Sequence, residues 1–317
     1  MLAKRLKRGD TIGLVCPSSF LNKGKEKLVD NAINILKQDF GLNAVWGKNA
    51  RKIDKYGISA GTPQEKADDI NKFFADHRVQ AIWCATGGNT ANQVLDYLDF
   101  TMIKNNPKIF IGLSDNTVFL NAIYKMTGLV TMHGPDAKVG NKNEYFDSKF
   151  SQDEFKKRLI DGDLNVGQIS KWQTVRQGKA TGKMLGGNII CFLKLLGTKY
   201  FPDVRDSILL MEEYDINIKK SIWLLTQYKQ AGIFDKINGI IVGDYYHLDH
   251  QQKEFRPDGG RILFENILLD ITKDYNFPIL KIYEFGHKCP STILPIGVEA
   301  EMDASKKVFK ILKDCVK

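Results

Sequence analysis

The sequence lacks a long apolar run, and no stretch approaches the roughly 20 apolar residues that a helix needs to cross a bilayer. The apolar run near its start, residues 12–16, is interrupted by Gly13 and is too short for the core of a signal peptide. A membrane is therefore not expected as a partner, and the cytoplasm is the expected location.

The sequence also lacks close cysteine pairs and the glycine fingerprints of nucleotide binding. Its five cysteines are dispersed, at Cys16, Cys84, Cys191, Cys289 and Cys315. Such a set predicts reduced thiols, with neither a disulfide framework nor a metal site. No GxGxxG segment is present and no Gly-Lys-Ser/Thr follows a glycine loop, which disfavours a dinucleotide enzyme and a P-loop.

Positive charge is in moderate excess and is not concentrated. Lys and Arg number 46 against 37 Asp and Glu, which gives a formal net charge of +9. The lysines are scattered among acidic residues, and there is no arginine-rich run or basic stripe interleaved with aromatic residues. Nucleic acid is therefore not expected as a partner.

The first half of the chain alternates short apolar runs with helical patterns, which predicts a parallel sheet with helices on its faces. Strands are predicted at residues 11–16, 43–46, 80–85 and 108–112, and helices at 25–37, 62–74, 91–98 and 116–126. Thr62, Pro63 and Glu65 form a capping-box pattern at the start of one helix. Functional groups of such a sheet collect at the carboxyl ends of its strands.

The second half of the chain has a different pattern of polar and apolar residues. Residues 141–181 are polar and weakly periodic, and predict a connection with one helix near 152–160. Beyond them the pattern predicts a mixed, partly antiparallel domain, with strands at 207–211, 239–242, 278–283 and 307–312 and a helix at 218–231. The predicted division is a domain at 1–150, a connecting segment at 151–180 and a domain at 181–317.

The segment Gly112-Leu113-Ser114-Asp115-Asn116 carries the strongest local signal for chemistry. An apolar strand ends at Gly112, and Ser114 opens the next helix, which is the layout of a nucleophile elbow. The second glycine of the GxSxG pattern is absent, because position 116 is Asn. The alternative is that Ser114 or a neighbour caps the helix.

Two glycine pairs also lie next to predicted strands and helices. Gly87, Gly88 and Asn89 follow the strand at 80–85, so their backbone could approach an anion or form an oxyanion hole. Gly187 and Asn188 precede another apolar helix and could supply backbone donors. The alternative for Gly87 and Gly88 is an ordinary tight turn, and the alternative for Gly187 and Asn188 is close packing.

A serine nucleophile needs a base, and the base needs a carboxylate. His287 follows the predicted strand near 279–283, where a catalytic loop is expected, and His133 could line the same cleft or simply occupy a turn. The pair His247 and His250 has metal-like spacing but lies in a polar loop that favours solvation. The strand at 209–213 ends in Glu212 and Glu213, which suits a triad acid or an ordinary charged terminus.

Six motifs in one order resemble the serine peptidase family of LD-carboxypeptidases and microcin C immunity peptidases. They are ATGGNT at 85–90, GLSDNT at 112–117, HGP at 133–135, LGGNI at 185–189, LLMEE at 209–213 and FGH at 285–287. The resemblance covers nearly the whole chain. It departs from the family at Leu113, where an aromatic residue is more usual, and at Met211, where the acidic segment commonly reads LED.

The resemblance implies an α/β fold with a flavodoxin-like parallel-sheet N-terminal domain and a smaller swivelling β-rich C-terminal domain. It implies Ser114 as nucleophile, His287 as base and Glu212 as the acid that orients it, with Glu213 as the alternative if the alignment shifts by one. The implied oxyanion hole is formed by the N–H groups of Gly88 and Asp115. The residues implied to bind substrate are Gly87, Asn89, Gly187 and Asn188. No cofactor or metal is implied.

The resemblance implies a small peptide or peptidyl-nucleotide substrate and a homodimer. Its main branch removes the terminal D-alanine of murein tetrapeptides during cell-wall recycling, and its other branch cleaves the aminoacyl-nucleotide amide of microcin C-type toxins. The second branch requires an aromatic platform for adenine, for which the candidates are Trp172, Trp223, Tyr245 and Tyr246. The loop at 244–260 is a candidate lid or partner surface. A non-enzymatic ligand-binding protein is the alternative from another class.

Overall fold

The computed structural model describes residues 1–22, 24–140, 146–250 and 259–317. Its first sheet has six strands in the order β11-β5-β4-β3-β1-β2. They are β1 (Thr11–Val15), β2 (Asn43–Trp46), β3 (Val79–Cys84), β4 (Ile109–Gly112), β5 (Thr131–His133) and β11 (Leu294–Ile296). Strands β1 to β5 pair in parallel, as predicted, and β11 pairs antiparallel with β5.

Helices cover this sheet because its central strands β1, β3 and β4 are nearly continuous buried apolar runs. They are α1 (Glu26–Asp39), α2 (Pro63–Ala75), α3 (Phe100–Asn105) and α4 (Thr117–Thr127). The predicted capping box is confirmed, since the Thr62 side chain accepts from the Glu65 N–H and the Glu65 carboxylate accepts from the Thr62 N–H. The predicted helix at 91–98 is instead a three-ten helix at Ala91–Tyr97, which ends in the short-range bond from the Leu98 N–H to the Leu95 carbonyl.

The second sheet has seven strands in the order β13-β12-β7-β8-β9-β10-β6. They are β6 (Gln173–Arg176), β7 (Lys179–Asn188), β8 (Ser207–Glu213), β9 (Gly239–Tyr245), β10 (Ile279–Lys281), β12 (Glu299–Asp303) and β13 (Val308–Ile311). Strands β7 to β10 are parallel, whereas β6, β12 and β13 pair antiparallel, so the sheet is mixed as predicted. The α/β fold class is confirmed.

The remaining helices connect or flank these strands. They are α5 (Lys149–Phe155), which continues as a π-helix at Lys156–Asp161, α6 (Ile189–Leu193), α7 (Ile218–Gln230), α8 (Tyr246–His250) and α9 (Phe264–Ile271). None of the helices in the described ranges has the length and apolar character that a membrane span requires.

The two sheets are not contiguous in sequence. Strand β6 lies in the predicted connecting segment but completes the second sheet, and β11 returns from the C-terminal half to the first sheet. The division at 1–150, 151–180 and 181–317 stays a prediction about domains. The return of β11 ties the segment that carries His287 to the sheet that carries Ser114.

A buried arginine holds the chain next to β11. Arg158 is fully buried, and its guanidinium donates to the carbonyls of Ile293, Asp163 and Asn165 while lying near the Glu154 carboxylate. Removal of one partner of a buried charge cluster leaves the other uncompensated.

We expect Arg158→Leu to lower the free energy of unfolding by about 3 kcal/mol, because three carbonyls then lose their donor and Glu154 keeps only Lys157 as a cationic neighbour. Urea denaturation followed by circular dichroism measures the change. Arg205→Leu is the control, since Arg205 pairs with Asp203 on the surface and should change stability by less than about 1 kcal/mol. Equal effects of the two substitutions would contradict the structural role of Arg158.

Candidate active site

Ser114 lies at a sharp turn between β4 and α4. Its φ is +64°, a left-handed conformation that costs free energy for a residue with a side chain. The Asn116 side chain fixes the turn by donating to the carbonyls of Leu113 and Thr86. The backbone therefore has the strained geometry that exposes a nucleophile at the end of a strand.

The loop after β3 packs directly on this serine. A Cβ on Gly87 would lie 2.9 Å from the Ser114 Oγ, and a Cβ on Gly88 would lie 2.4 Å from the hydroxyls of Ser18 and Ser19. Gly88 also has a φ of +149°, so both positions require glycine. This close approach brings a backbone segment within reach of any carbonyl that Ser114 attacks.

The Asp115 carboxylate joins four parts of the molecule. It is fully buried and accepts hydrogen bonds from Ser18 Oγ at 2.6 Å, the Ala91 N–H at 2.8 Å and Lys194 Nζ at 2.6 Å. The predicted oxyanion role concerns its backbone N–H, which lies in the first turn of a helix where N–H groups have no intrahelical partner. The side chain thus fixes this N–H relative to the glycine loop.

His287 and Glu212 form a buried pair. The two side chains meet through Nδ1 and Oε2 at 2.6 Å, and Glu212 lies at the end of β8. Burial alone lowers the pKa of His287, but the attraction and hydrogen bond of Glu212, with smaller contributions from Glu213 and Asp136, raise it above its ordinary value. The bond at Nδ1 leaves Nε2 available to act on a substrate.

His133 lies on the other side of Glu212. Its Nε2 is 4.0 Å from Glu212 Oε1, too long for a hydrogen bond, and its ring packs edge-on against Phe285. Burial lowers its pKa to about 4, so it is neutral at pH 7. The geometry pairs Glu212 with His287, and His133 is not among the described residues that line the cleft.

A cleft of about 870 Å³ opens between the two sheets. Ser114 and His287 both line it, together with the predicted residues Gly87, Gly88, Asn89 and Asn188. Gly187 is placed differently, since a Cβ there would contact His133 and Thr117. Lys25, Lys138 and Lys220 also line the cleft, together with the carboxylates of Asp136, Glu213 and Asp215.

Of the four candidates for an aromatic platform, two are buried in the core, and none is among the described residues that line the cleft. Trp172 and Tyr245 are buried, the first bonded to Glu284 and the second stacked on Phe264. Trp223 is 55% exposed on α7. Tyr246 stacks on Tyr214, which lines the cleft.

Sequence reasoning missed Tyr214, Ser18 and Lys194. Tyr214 and Ser18 each follow a strand of a parallel sheet, and that position is the signal that could have found them. Lys194 offers no local signal, because its contact with Asp115 spans 79 residues.

His247 and His250 lie on the short helix α8 and not in the predicted polar loop, and each bonds to a carboxylate. His247 bonds to Asp215 at 3.0 Å, and His250 bonds to Asp244 at 2.7 Å. Part of the candidate loop at 244–260, namely 251–258, lies outside the described residues. In the part of the chain that the structure describes, no group of three or more His, Cys, Asp or Glu side chains is placed to hold a metal.

Comparison with known proteins gives consistent matches over most of the chain. Residues 12–134 match the LD-carboxypeptidase N-terminal domain, and residues 181–302 match the LD-carboxypeptidase C-terminal domain. The probable murein peptide carboxypeptidase of Bacillus subtilis (strain 168) is 31% identical over 311 residues, which are 97% of this chain and 93% of the relative.

Two further matches concern a microcin immunity protein. The microcin C7 self-immunity protein MccF of Escherichia coli is 27% identical over 338 residues, which are 98% of this chain and 95% of the relative. The solved structure of MccF in complex with aspartyl sulfamoyl adenosine has a TM-score of 0.88 and 25% identity, and the match covers 100% of this chain and 100% of that chain.

Proposed function

The chain belongs to the LD-carboxypeptidase family and is a serine peptidase. We propose that it removes the terminal D-alanine of murein tetrapeptides through an acyl-enzyme on Ser114. The observation that carries the proposal is the meeting of Ser114, on its strained turn, with the His287–Glu212 pair at one cleft. The homodimer and the cytoplasmic role in cell-wall recycling remain predictions from the family resemblance.

The proposed mechanism follows from acyl transfer. His287 Nε2 takes the proton of Ser114 Oγ as that oxygen attacks the amide carbonyl, and later gives it to the leaving amine. The N–H groups of Gly88 and Asp115 stabilise the charge that develops on the carbonyl oxygen. Water then hydrolyses the acyl-enzyme, again with His287 as base.

One cation of the cleft supports a substrate that carries carboxylates. Lys25 lines the cleft and forms no ion pair among the described residues, whereas Lys138 pairs with Asp136 and Lys220 pairs with Asp215. A murein tetrapeptide is acidic, so Lys25 is available to attract it. The name of the Bacillus subtilis relative points to the same substrate class.

A second candidate substrate is an aminoacyl-nucleotide of the microcin C type. It is favoured by the Tyr214–Tyr246 stack, whose rings are parallel within 1° at 5.5 Å and which offers a face for a nucleobase. The similarity to MccF, solved with aspartyl sulfamoyl adenosine, points the same way.

The test is the ratio of kcat/KM for a murein tetrapeptide to kcat/KM for aspartyl sulfamoyl adenosine, followed by mass spectrometry of the products. We expect a ratio above about 10, because a pocket that hydrogen-bonds the polar groups of its substrate discriminates strongly against a compound that lacks those groups. A ratio below 1 would favour the second candidate. Binding of both compounds without any product would exclude both candidate substrates.

The acid limb of the pH profile is expected above pH 6.5. The base must be neutral in the free enzyme, and the pKa of His287 is raised above its ordinary value of 6.5, chiefly by Glu212 acting against burial. Activity should therefore fall as pH decreases through a value higher than 6.5. The measurement is kcat/KM between pH 5 and 9, and a midpoint below 6.5 would contradict the assignment.

A further inference from the structure

Three carboxylates line the cleft, and one of them has no cationic partner. Asp136 pairs with Lys138 at 2.9 Å, and Asp215 pairs with Lys220 at 3.5 Å. Glu213 also lines the cleft, yet among the described residues no lysine or arginine forms an ion pair with it. An unpaired carboxylate in a substrate cleft is costly unless a ligand supplies the missing charge.

The two oxygens of Glu213 differ in their surroundings. Oε1 accepts the N–H of Tyr214 at 2.9 Å and that of Asp215 at 3.4 Å, which fixes the side chain at the end of β8. Oε2 has no hydrogen-bond partner in the described part of the chain, although the residue is only 5% exposed. Burial and the adjacent Glu212 raise the pKa of Glu213, while His287, Asn188 and the Tyr214 N–H offset part of that increase.

The structure assigns Glu213 as the residue that binds an ammonium group on the acyl side of the scissile bond. The inference rests on the proposed function, because both candidate substrates place an amine on that side: a side-chain amine on the third residue of a tetrapeptide, or the α-amine of an aminoacyl-nucleotide. A single free carboxylate oxygen suits an ammonium group better than a metal ion, which requires several ligands.

The position of Glu213 fits this role. It directly follows Glu212, which pairs with Asn188 across the strands and bonds to His287, and it lines the same cleft as Ser114 and His287. A cation bound there therefore lies near the reacting bond. The acyl part of the substrate would then be held at its carbonyl by the glycine loop and at its ammonium group by Glu213. Glu213 thus acts as a specificity-determining residue, distinct from Glu212, which orients the base.

The experiment compares substrates that differ only in this amine. The probes are a murein tetrapeptide with a free side-chain amine on its third residue, the same peptide with that amine acetylated, and the matching pair of aspartyl sulfamoyl adenosine and its N-acetyl form. Wild type, Glu213→Gln and the control Asp215→Asn are assayed on each pair. Glu213→Gln keeps the oxygen that accepts the Tyr214 N–H, and Asp215→Asn removes a charge from the exposed rim of the same cleft.

We expect wild type to have a kcat/KM about 10- to 100-fold higher for the free amine than for the acetylated form, because one charged hydrogen bond contributes a factor of this size to binding. The difference should lie in KM. Glu213→Gln should lose this preference while its kcat on the acetylated probe changes little, and Asp215→Asn should keep it. A preference that survives Glu213→Gln would overturn the proposal. So would an equal loss of kcat on both members of a pair, which would place Glu213 in the reaction itself.

A binding measurement separates this inference from the proposed function. If wild type hydrolyses none of the four probes, the proposed function fails, and calorimetry of the same probes with wild type and Glu213→Gln then decides the inference. Weaker binding of the free amine by Glu213→Gln, with unchanged binding of the acetylated form, supports the ammonium site. Equal binding of both forms by both proteins overturns it.

Discussion

Replacing Ser114 by alanine is expected to lower kcat on the preferred substrate by about 10⁴-fold or more. The hydroxyl is the only atom removed, and the strained turn stays fixed by Asn116, Leu113 and Thr86. Residual activity would come from the glycine loop and from substrate binding alone. Steady-state kinetics with product detection by mass spectrometry measure the loss.

Two controls show that the loss is chemical. Ser305→Ala, on the exposed loop between β12 and β13, should leave kcat within about twofold of wild type, as surface substitutions usually do. The thermal unfolding temperature of Ser114→Ala should match that of wild type, because alanine keeps the Cβ and therefore the same strained turn. Retention of more than a tenth of the wild-type kcat would refute Ser114 as the nucleophile.

Glu212→Gln is expected to lower kcat by about 10³- to 10⁴-fold. The amide is the same size but can present its NH₂ group to His287 Nδ1, which stabilises the wrong tautomer. Because Glu212 is the main group that raises the pKa of His287, the acid limb of any residual activity should also move to lower pH. Steady-state kinetics across pH measure both effects.

The same measurement on Glu213→Gln decides which acid belongs to the triad. Its kcat on the acetylated probe should stay within about tenfold of wild type, since the hydrogen bond to His287 comes from Glu212. A larger loss of kcat in Glu213→Gln than in Glu212→Gln would reverse the two roles.

Much of the first sheet could be predicted because its signals are local. The runs at 11–16, 80–85 and 108–112 are apolar and bounded by turn residues, and β1, β3 and β4 lie within a residue of them. The capping box at Thr62 uses residues three positions apart, which sequence shows directly. The elbow at Ser114 is likewise a short pattern of strand, turn and helix.

The contacts that complete the site are long-range, and periodicity carries no signal for them. Lys194 reaches Asp115 across 79 residues, and β11 returns to pair with β5 across more than 150 residues of chain. Neither segment has a sequence pattern that identifies the segment it contacts. Residues that depend on tertiary packing are therefore the ones that sequence reasoning missed.

The choice between Glu212 and Glu213 shows the same limit. Successive side chains of a strand point to opposite faces, so a shift of one residue reverses which acid meets the histidine. Both residues are buried at the end of β8, and sequence alone does not say from which face His287 approaches. Only the three-dimensional pairing at 2.6 Å separates the two.

The measurement that tests the central claim most directly is interception of the acyl-enzyme. Wild type and Ser114→Ala are incubated with murein tetrapeptide and increasing hydroxylamine, and the products are identified by mass spectrometry. An acyl group on Ser114 predicts tripeptide hydroxamate beside the free tripeptide, in a ratio that rises linearly with hydroxylamine, and neither product with Ser114→Ala. Free tripeptide alone at every hydroxylamine concentration, or equal product from both proteins, would contradict a covalent mechanism through this serine.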